Sequence, residues 1–307
     1  MPITLQDDFP AKDILQKEDI FAINNERARS QDIRPLRLLI LNLMPNKIAT
    51  ETQLLRLISQ SPLQIDVDFL KISSHQHKNT SLAHLSKFYH TFDSVKDRFY
   101  DGMIITGAPI ETLPFVEVDY WQEMQQILEW SQTHTTSTLH ICWGAQAALF
   151  HHYGVEKVLY NEKLFGVYDS FIEKPHRLFR GFDDIFSIPQ SRYTGIELQP
   201  EHLEYLCQID NNEEIGASIL ISRDERNIFV LGHLEYDTET LHEEYVRDQK
   251  RELGTDKPVN YYRGEKICNT WRSSAFLFYH NWLNDVYQIT PYKLEDIAVE
   301  RQRLKQQ

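Results

Sequence analysis

The sequence predicts an α/β protein built on a mostly parallel, doubly wound sheet with helices on both faces. Three observations carry this: short apolar, β-branched runs recur along the chain, amphipathic segments lie between them, and the two alternate. The runs are Leu36–Leu43, Ile65–Ile72, Gly102–Thr106, Thr138–Cys142, Ser218–Ser222 and Asn227–Gly232. Being apolar on both sides, they suit strands covered from above and below. Glu51–Gln60 sets Leu54, Leu55, Leu57 and Ile58 at helical spacing, and Tyr120–His134 does the same with Trp121, Met124, Ile127 and Leu128. Trp143–Tyr153 follows a strand directly, and Thr270–Tyr292 reads as a closing helix. Gly254–Lys266 reads as a polar loop. With no repeat or Gly/Ser linker, the simplest division is an arm over residues 1–33 and a single domain over 34–307.

Composition narrows the function. The chain of 307 residues carries a formal charge of −13, which repels phosphate backbones and anionic lipids, so neither nucleic acid nor a membrane surface is the expected partner. A local basic patch can still hold a small anion, because the distant charge is screened. No run of about 18 apolar residues exists to span a bilayer. The N-terminal segment is charged throughout and lacks a signal-peptide core. Three cysteines without CxxC or CxxH spacing argue against a disulfide framework or a structural zinc site. The expectation is a cytoplasmic protein without a metal.

Cys142 ends an apolar strand, and the small-residue turn Trp143-Gly144-Ala145 opens a helix. That junction presents sulfur at the carboxyl edge of the sheet, where open α/β proteins bind ligands. The helix N-terminus favours negative charge there and offers free N–H groups to an oxyanion. The alternative is a buried structural cysteine, which is the reading for Cys207 and Cys268. A second strand end delivers Gly232-His233-Leu234-Glu235, in which His233 can reach a neighbouring nucleophile while Glu235 fixes its tautomer. The competing reading is a surface histidine before a helix cap. A third strand end, Thr106-Gly107-Ala108-Pro109, offers a tight loop whose N–H groups could complete an oxyanion hole.

Together these segments resemble the class I glutamine amidotransferase arrangement of Gly-Gly-Pro loop, nucleophile-elbow cysteine and His-Pro-Glu. His140 and Leu234 depart from that pattern. The closer resemblance is to the MetA-type homoserine O-acyltransferases on the same fold. It runs through QDIRPLRLLILNLMPNKIATETQLLRL, the long segment ending in ITGAPIETLPFVEVDYW, STLHICWGAQAALFHHYG, KLFGVY, RGFDD and NWLNDVYQITPY. The resemblance implies Cys142 as acyl-thioester nucleophile, His233 as general base, Glu235 as its orienter and the Trp143 N–H as an oxyanion donor. It implies substrate contacts at Lys163, Ser191 and Arg247, and a choice of acyl group at Glu111. Glutamate there accompanies acetyl donors. A carboxylate facing a succinyl carboxylate at about 4 Å is repelled by about 4 kcal/mol at an effective dielectric near 20.

The expected reaction is therefore ping-pong transfer of acetyl from acetyl-CoA, a co-substrate with no bound cofactor, to L-homoserine. Gln190, Leu234 and Ser274 stand where most relatives carry His, Pro and His, which keeps L-serine open as the acceptor. A homoserine O-succinyltransferase, an amidotransferase-like amide hydrolase and a catalytically silent binding protein are the remaining alternatives. The number of copies is left open, a homodimer included.

Overall fold

The alternation of strands and helices folds into one large twisted sheet in this computed structural model, which describes residues 3–6, 8–17, 22–23, 34–75 and 80–304. The strands before the nucleophile candidate are β1 (Ile3–Thr4), β2 (Ala22–Ile23), β3 (Leu36–Leu41), β4 (Ile65–Leu70), β5 (Tyr89–His90), β6 (Tyr100–Ile105) and β7 (Thr135–Ile141). After it come a long hairpin of β8 (Glu156–Ile172) and β9 (Ile185–Glu197), then β10 (Leu206–Gln208), β11 (Asp210–Asn211), β12 (Ile219–Ser222) and β13 (Asn227–Val230). The sheet order is β10-β12-β13-β7-β6-β3-β4-β1-β2, with β5 beside β4. From β13 through β4 every pairing is parallel, and β12 and β10 run antiparallel at one edge. This is the doubly wound α/β architecture that the sequence predicts.

Alternation along the strands explains the two-sided cover. Leu38 and Ile40 of β3 enter one core cluster with Leu54, Phe278 and Trp282. Their neighbours Leu39 and Leu41 enter the other with Trp121, Met124 and Leu149. The Lys47–Ile58 and Arg272–Ile289 helices thus cover one face, and the Trp121–His134 and Trp143–Tyr153 helices the other. Asn46 starts the first helix earlier than its apolar pattern predicts, its side chain accepting from Ala49 N.

The β8–β9 hairpin departs from expectation. Its first half is largely exposed and polar, so it lacks the apolar run that marks a buried strand. The polar stretch Gly254–Lys266 also holds more order than a loop. Val259 bridges Gly166 of the hairpin, and Tyr262–Arg263 pairs with Lys266–Ile267. Within the first 33 residues, β1 pairs with β4, and Phe9 stacks on Phe69 at 5.4 Å.

Trp282 pins the closing helix to the sheet. It is fully buried, donates from Nε1 to Ser137 Oγ at 3.0 Å, and covers Gly102, where an added Cβ would lie 3.1 Å from its ring. Trp282→Ala should lower stability by about 3–5 kcal/mol in urea unfolding, through lost contacts and an unfilled cavity.

Candidate active site

Between Ile141, the last residue of β7, and Trp143, the first of the helix, only Cys142 remains to turn the chain. It does so at φ 49° and ψ −114°, a conformation that costs a non-glycine residue about 1–3 kcal/mol. Two backbone hydrogen bonds hold it there: Cys142 N to Val230 O at 2.7 Å, and Gln146 N to Cys142 O at 3.0 Å. Gly144 lets the helix start directly on β6, since a Cβ there would lie 2.7 Å from Thr106 O. Gly107 brings the third strand end close. Its missing Cβ would sit 3.2 Å from Cys142 Cβ and 3.6 Å from His233 Cε1.

His233 follows β13 by three residues and is fixed through its backbone N–H, which donates to Pro189 O at 2.8 Å. Its Nδ1 lies 2.6 Å from Glu235 Oε1, and its ring is hydrogen-bonded to Cys142. Burial is the largest single influence on this imidazole and works against its charge. Cys142 and Glu235, by charge and hydrogen bond together, outweigh burial and hold it well above its ordinary value. Cys142, His233 and Glu235 are thus brought together in one hydrogen-bonded row. The Trp143 N–H belongs to the first helical turn, whose amides have no partner inside the helix, and it adjoins the sulfur. The Trp143 indole is wholly buried, between the rings of Phe115 and Tyr120.

A second group forms where the hairpin meets the Thr240–Lys250 helix. Lys163 donates to Asp248 Oδ2 at 3.0 Å and to Glu244 Oε2 at 3.2 Å, with its ammonium 4.1 Å from the centre of the Phe165 ring. Ser191 donates to Glu244 Oε2 at 2.5 Å. Arg247 is half exposed and grips Asp248 Oδ1 through Nε at 2.8 Å and Nη2 at 2.7 Å. Burial opposes the Asp248 charge, but Arg247 and Lys163 hold its carboxyl below the usual range. Lys163, Ser191 and Arg247 therefore converge on Glu244.

What the sequence reading missed is the acid that joins them. Glu244 accepts from Lys163 and Ser191 on one oxygen and from Tyr236 OH at 2.9 Å on the other. Tyr236 in turn stacks on His233 with ring centres 4.1 Å apart. The available signal was the spacing of Glu244 and Asp248, four apart and so on one face of a helix with Arg247 beside them.

Glu111 stands apart. It is half-buried on the loop after Gly107, its carbonyl accepts from Lys157 Nζ at 2.6 Å, and no hydrogen bond joins it to either group. The three departures from the family pattern occupy three different settings. Gln190 is fully buried on the opposite side of β9, bonded to Arg192 and Ser218. Leu234 sits in the core, and Ser274 lies in the closing helix. Among the described residues, one group could hold a metal: Glu129, His151 and His152, at the far end of the helix that Cys142 begins.

The family model described as homoserine O-succinyltransferase matches residues 2–292. A homoserine O-acetyltransferase of Shouchella clausii is 52% identical over 303 residues, covering 96% of this chain and 98% of that one. One from Streptococcus mutans is 50% identical, covering 97% of each chain. Among solved structures, a glutamine amidotransferase from Thermotoga maritima aligns with a TM-score of 0.54 at 13% identity, over 83% of this chain and 99% of that one. One from Methylobacillus flagellatus aligns with a TM-score of 0.50 at 11% identity, over 82% and 95%. At such identity these two speak for the fold alone, which is class I glutamine amidotransferase-like.

Glu235→Gln removes one of the charges that raise His233, so His233 should titrate at lower pH in the variant, read by NMR of its ring protons. The raised imidazole favours the folded state fully below the ordinary 6.5 and loses that contribution as pH rises through its folded value. The stability gap between the two proteins in urea should accordingly narrow as pH rises through that value.

Proposed function

The chain belongs to the homoserine O-succinyltransferase family and is an acyltransferase, and from that footing we propose that it carries acetyl from acetyl-CoA to the hydroxyl of L-homoserine through a thioester on Cys142. The observation that carries this reading is the pairing of a buried Cys142–His233–Glu235 set with a charged cluster joined to it through Tyr236.

In the first half-reaction the Cys142 thiolate attacks the thioester carbonyl. The bond to the CoA sulfur breaks, and the departing thiolate takes a proton from the His233 imidazolium. Thioester-to-thioester exchange is close to energy-neutral. In the second, the homoserine hydroxyl gives its proton to neutral His233 as its oxygen attacks acetyl-Cys142. Cys142 then leaves as thiolate beside the imidazolium. Glu235 keeps Nε2 aimed at the sulfur in both steps, and the Trp143 N–H stabilises each oxyanion. Low exposure at Cys142 and His233 keeps water from the intermediate.

The acceptor carries an ammonium and a carboxylate. Glu244 suits the first, and Lys163 and Arg247 the second, the guanidinium fork pairing bidentately. Ser191 completes the set. Homoserine is preferred over serine because the relatives named above are homoserine O-acetyltransferases. Acetyl is preferred over succinyl because Glu111 follows the Gly107 loop and because the relatives named above are O-acetyltransferases. We read the protein as cytoplasmic, and residues 34–307 as the acyltransferase domain.

CoA release, measured with acetyl- and succinyl-CoA against homoserine and serine, tests this directly. Acetyl-CoA with homoserine should be the fastest pair. Glu111→Gly should raise succinyl-CoA turnover by about tenfold or more, as a like-charge repulsion is removed. Faster succinyl-CoA or serine turnover by the wild type would count against the donor or the acceptor respectively. Glu244→Gln should raise KM for homoserine about tenfold or more, the scale of a lost hydrogen bond to a charged group, with less effect on KM for acetyl-CoA.

A further inference from the structure

Cys142 divides the carboxyl edge of the sheet. Toward β13 lie His233 and the Glu244 cluster. In the other direction the ends of β6, β3 and β4 frame a cavity of about 440 Å³ that has no part in the site described above. Its wall is Leu43 and Met44 after β3, Ile72 after β4, and Ile110, Leu113 and Tyr120 beyond β6. Ala108 closes it on the inner side, next to Gly107, where an added Cβ would meet Cys142 and His233. The Thr106 hydroxyl ties the two loops together by accepting from Leu43 N at 2.8 Å. The size falls within the range of about 300–1,000 Å³ found for small-ligand sites, and the lining is mostly apolar with a few polar groups, as such sites are.

We propose that this cavity is the subsite for the pantetheine arm of the acyl donor, seating a chain that is mostly methylene and amide and delivering its thioester over the Gly107–Ala108 turn to Cys142. The proposal rests on the acetyl-CoA reading above. It fits the chemistry of a two-substrate exchange, in which donor and acceptor reach one sulfur from opposite sides of the elbow.

Charge sets the direction of the arm. Glu117 and Asp119 line the cavity, with Asp119 2.8 Å from His75 Nδ1, so a diphosphate is repelled from that end. At the Leu113 end a cation is present, Lys157, with the Glu111 carboxylate acting on it. Lys157 reaches the carbonyls of Glu111 and Leu113, with its ammonium 4.4 Å from the centre of the Phe115 ring. The nucleotide end of the donor accordingly leaves past Leu113. Another cavity, about 490 Å³ beside Glu235 and Tyr236, sets Arg56, Asp237, Glu239 and Arg272 beside Leu57, Trp271 and Phe276 and is the more polar of the two.

Leu113 is 43% exposed, so changes there are compatible with folding. The test compares two donors, acetyl-CoA and S-acetyl-N-acetylcysteamine, which keeps the thioester but lacks the pantothenate and nucleotide. Homoserine is held saturating, with wild type, Leu113→Trp and Leu113→Glu. Bulk or charge at the mouth should lower the ratio of kcat/KM for acetyl-CoA to that for the truncated donor by about tenfold or more in both variants. A ratio within about twofold of wild type in both variants overturns the subsite. Wild-type protein that acts on the truncated thioester but releases no CoA from acetyl-CoA contradicts the functional reading itself, and the subsite with it.

Discussion

The turn at Cys142 sets the terms for everything around it. A strand that ends at Ile141 and a helix that begins at Trp143 leave one residue to reverse the backbone, and that residue takes φ 49°. The conformation is held from three directions: Val230 O receives its N–H, Gly144 packs on the end of β6, and Gly107 approaches its Cβ. Each contact comes from a neighbouring parallel strand. The order β13-β7-β6 therefore has a chemical consequence, since it brings His233, Cys142 and the Gly107 loop to one edge. The strain is small beside the cores on the two faces of the sheet, and what it secures is a sulfur at a helix N-terminus with little freedom to move.

The Cys142–His233–Glu235 set and the Glu244 cluster are linked through Tyr236. One face of its ring lies on His233 and its hydroxyl bonds Glu244. Burial first, then Glu244 and the other nearby negative charges, hold the phenol well above its ordinary value, so it remains a donor to that carboxylate. An ammonium arriving at Glu244 would compete for the acid that Tyr236, Ser191 and Lys163 now share. The cluster in this form satisfies its own charges internally, Lys163 and Arg247 against Glu244 and Asp248. On the proposed reading, an amino acid bound there exchanges some of those pairs for its own two charged groups.

How much of this was legible in the sequence follows from which features leave a local mark. The parallel strands were plain because Leu36–Leu43, Gly102–Thr106 and Thr138–Cys142 are apolar on both faces, and a strand buried on both sides must be. Cys142 and His233 stood out because each ends such a run. The β8–β9 hairpin left no comparable trace: its outer half faces solvent, and its residues could equally form loop. Glu244 was invisible for a different reason. Its partners Tyr236, Ser191 and Lys163 lie 8, 53 and 81 residues away, so only the fold assembles them. Gln190 adjoins Ser191 in sequence, but alternation along β9 sends its side chain to the other face, where it bonds Ser218 and lies against Gly232.

The family fixes the class of chemistry, and the elbow geometry leaves the identity of the covalent intermediate as the central claim. Mixing the protein with acetyl-CoA in the absence of any acceptor, quenching in acid and mapping peptides by mass spectrometry reads it directly. The account predicts one acetyl group on the Cys142 peptide, labile to hydroxylamine, absent from Cys142→Ala and lost on adding homoserine. An unmodified Cys142 in a sample that nonetheless turns over acetyl-CoA and homoserine would contradict it, because transfer would then be direct.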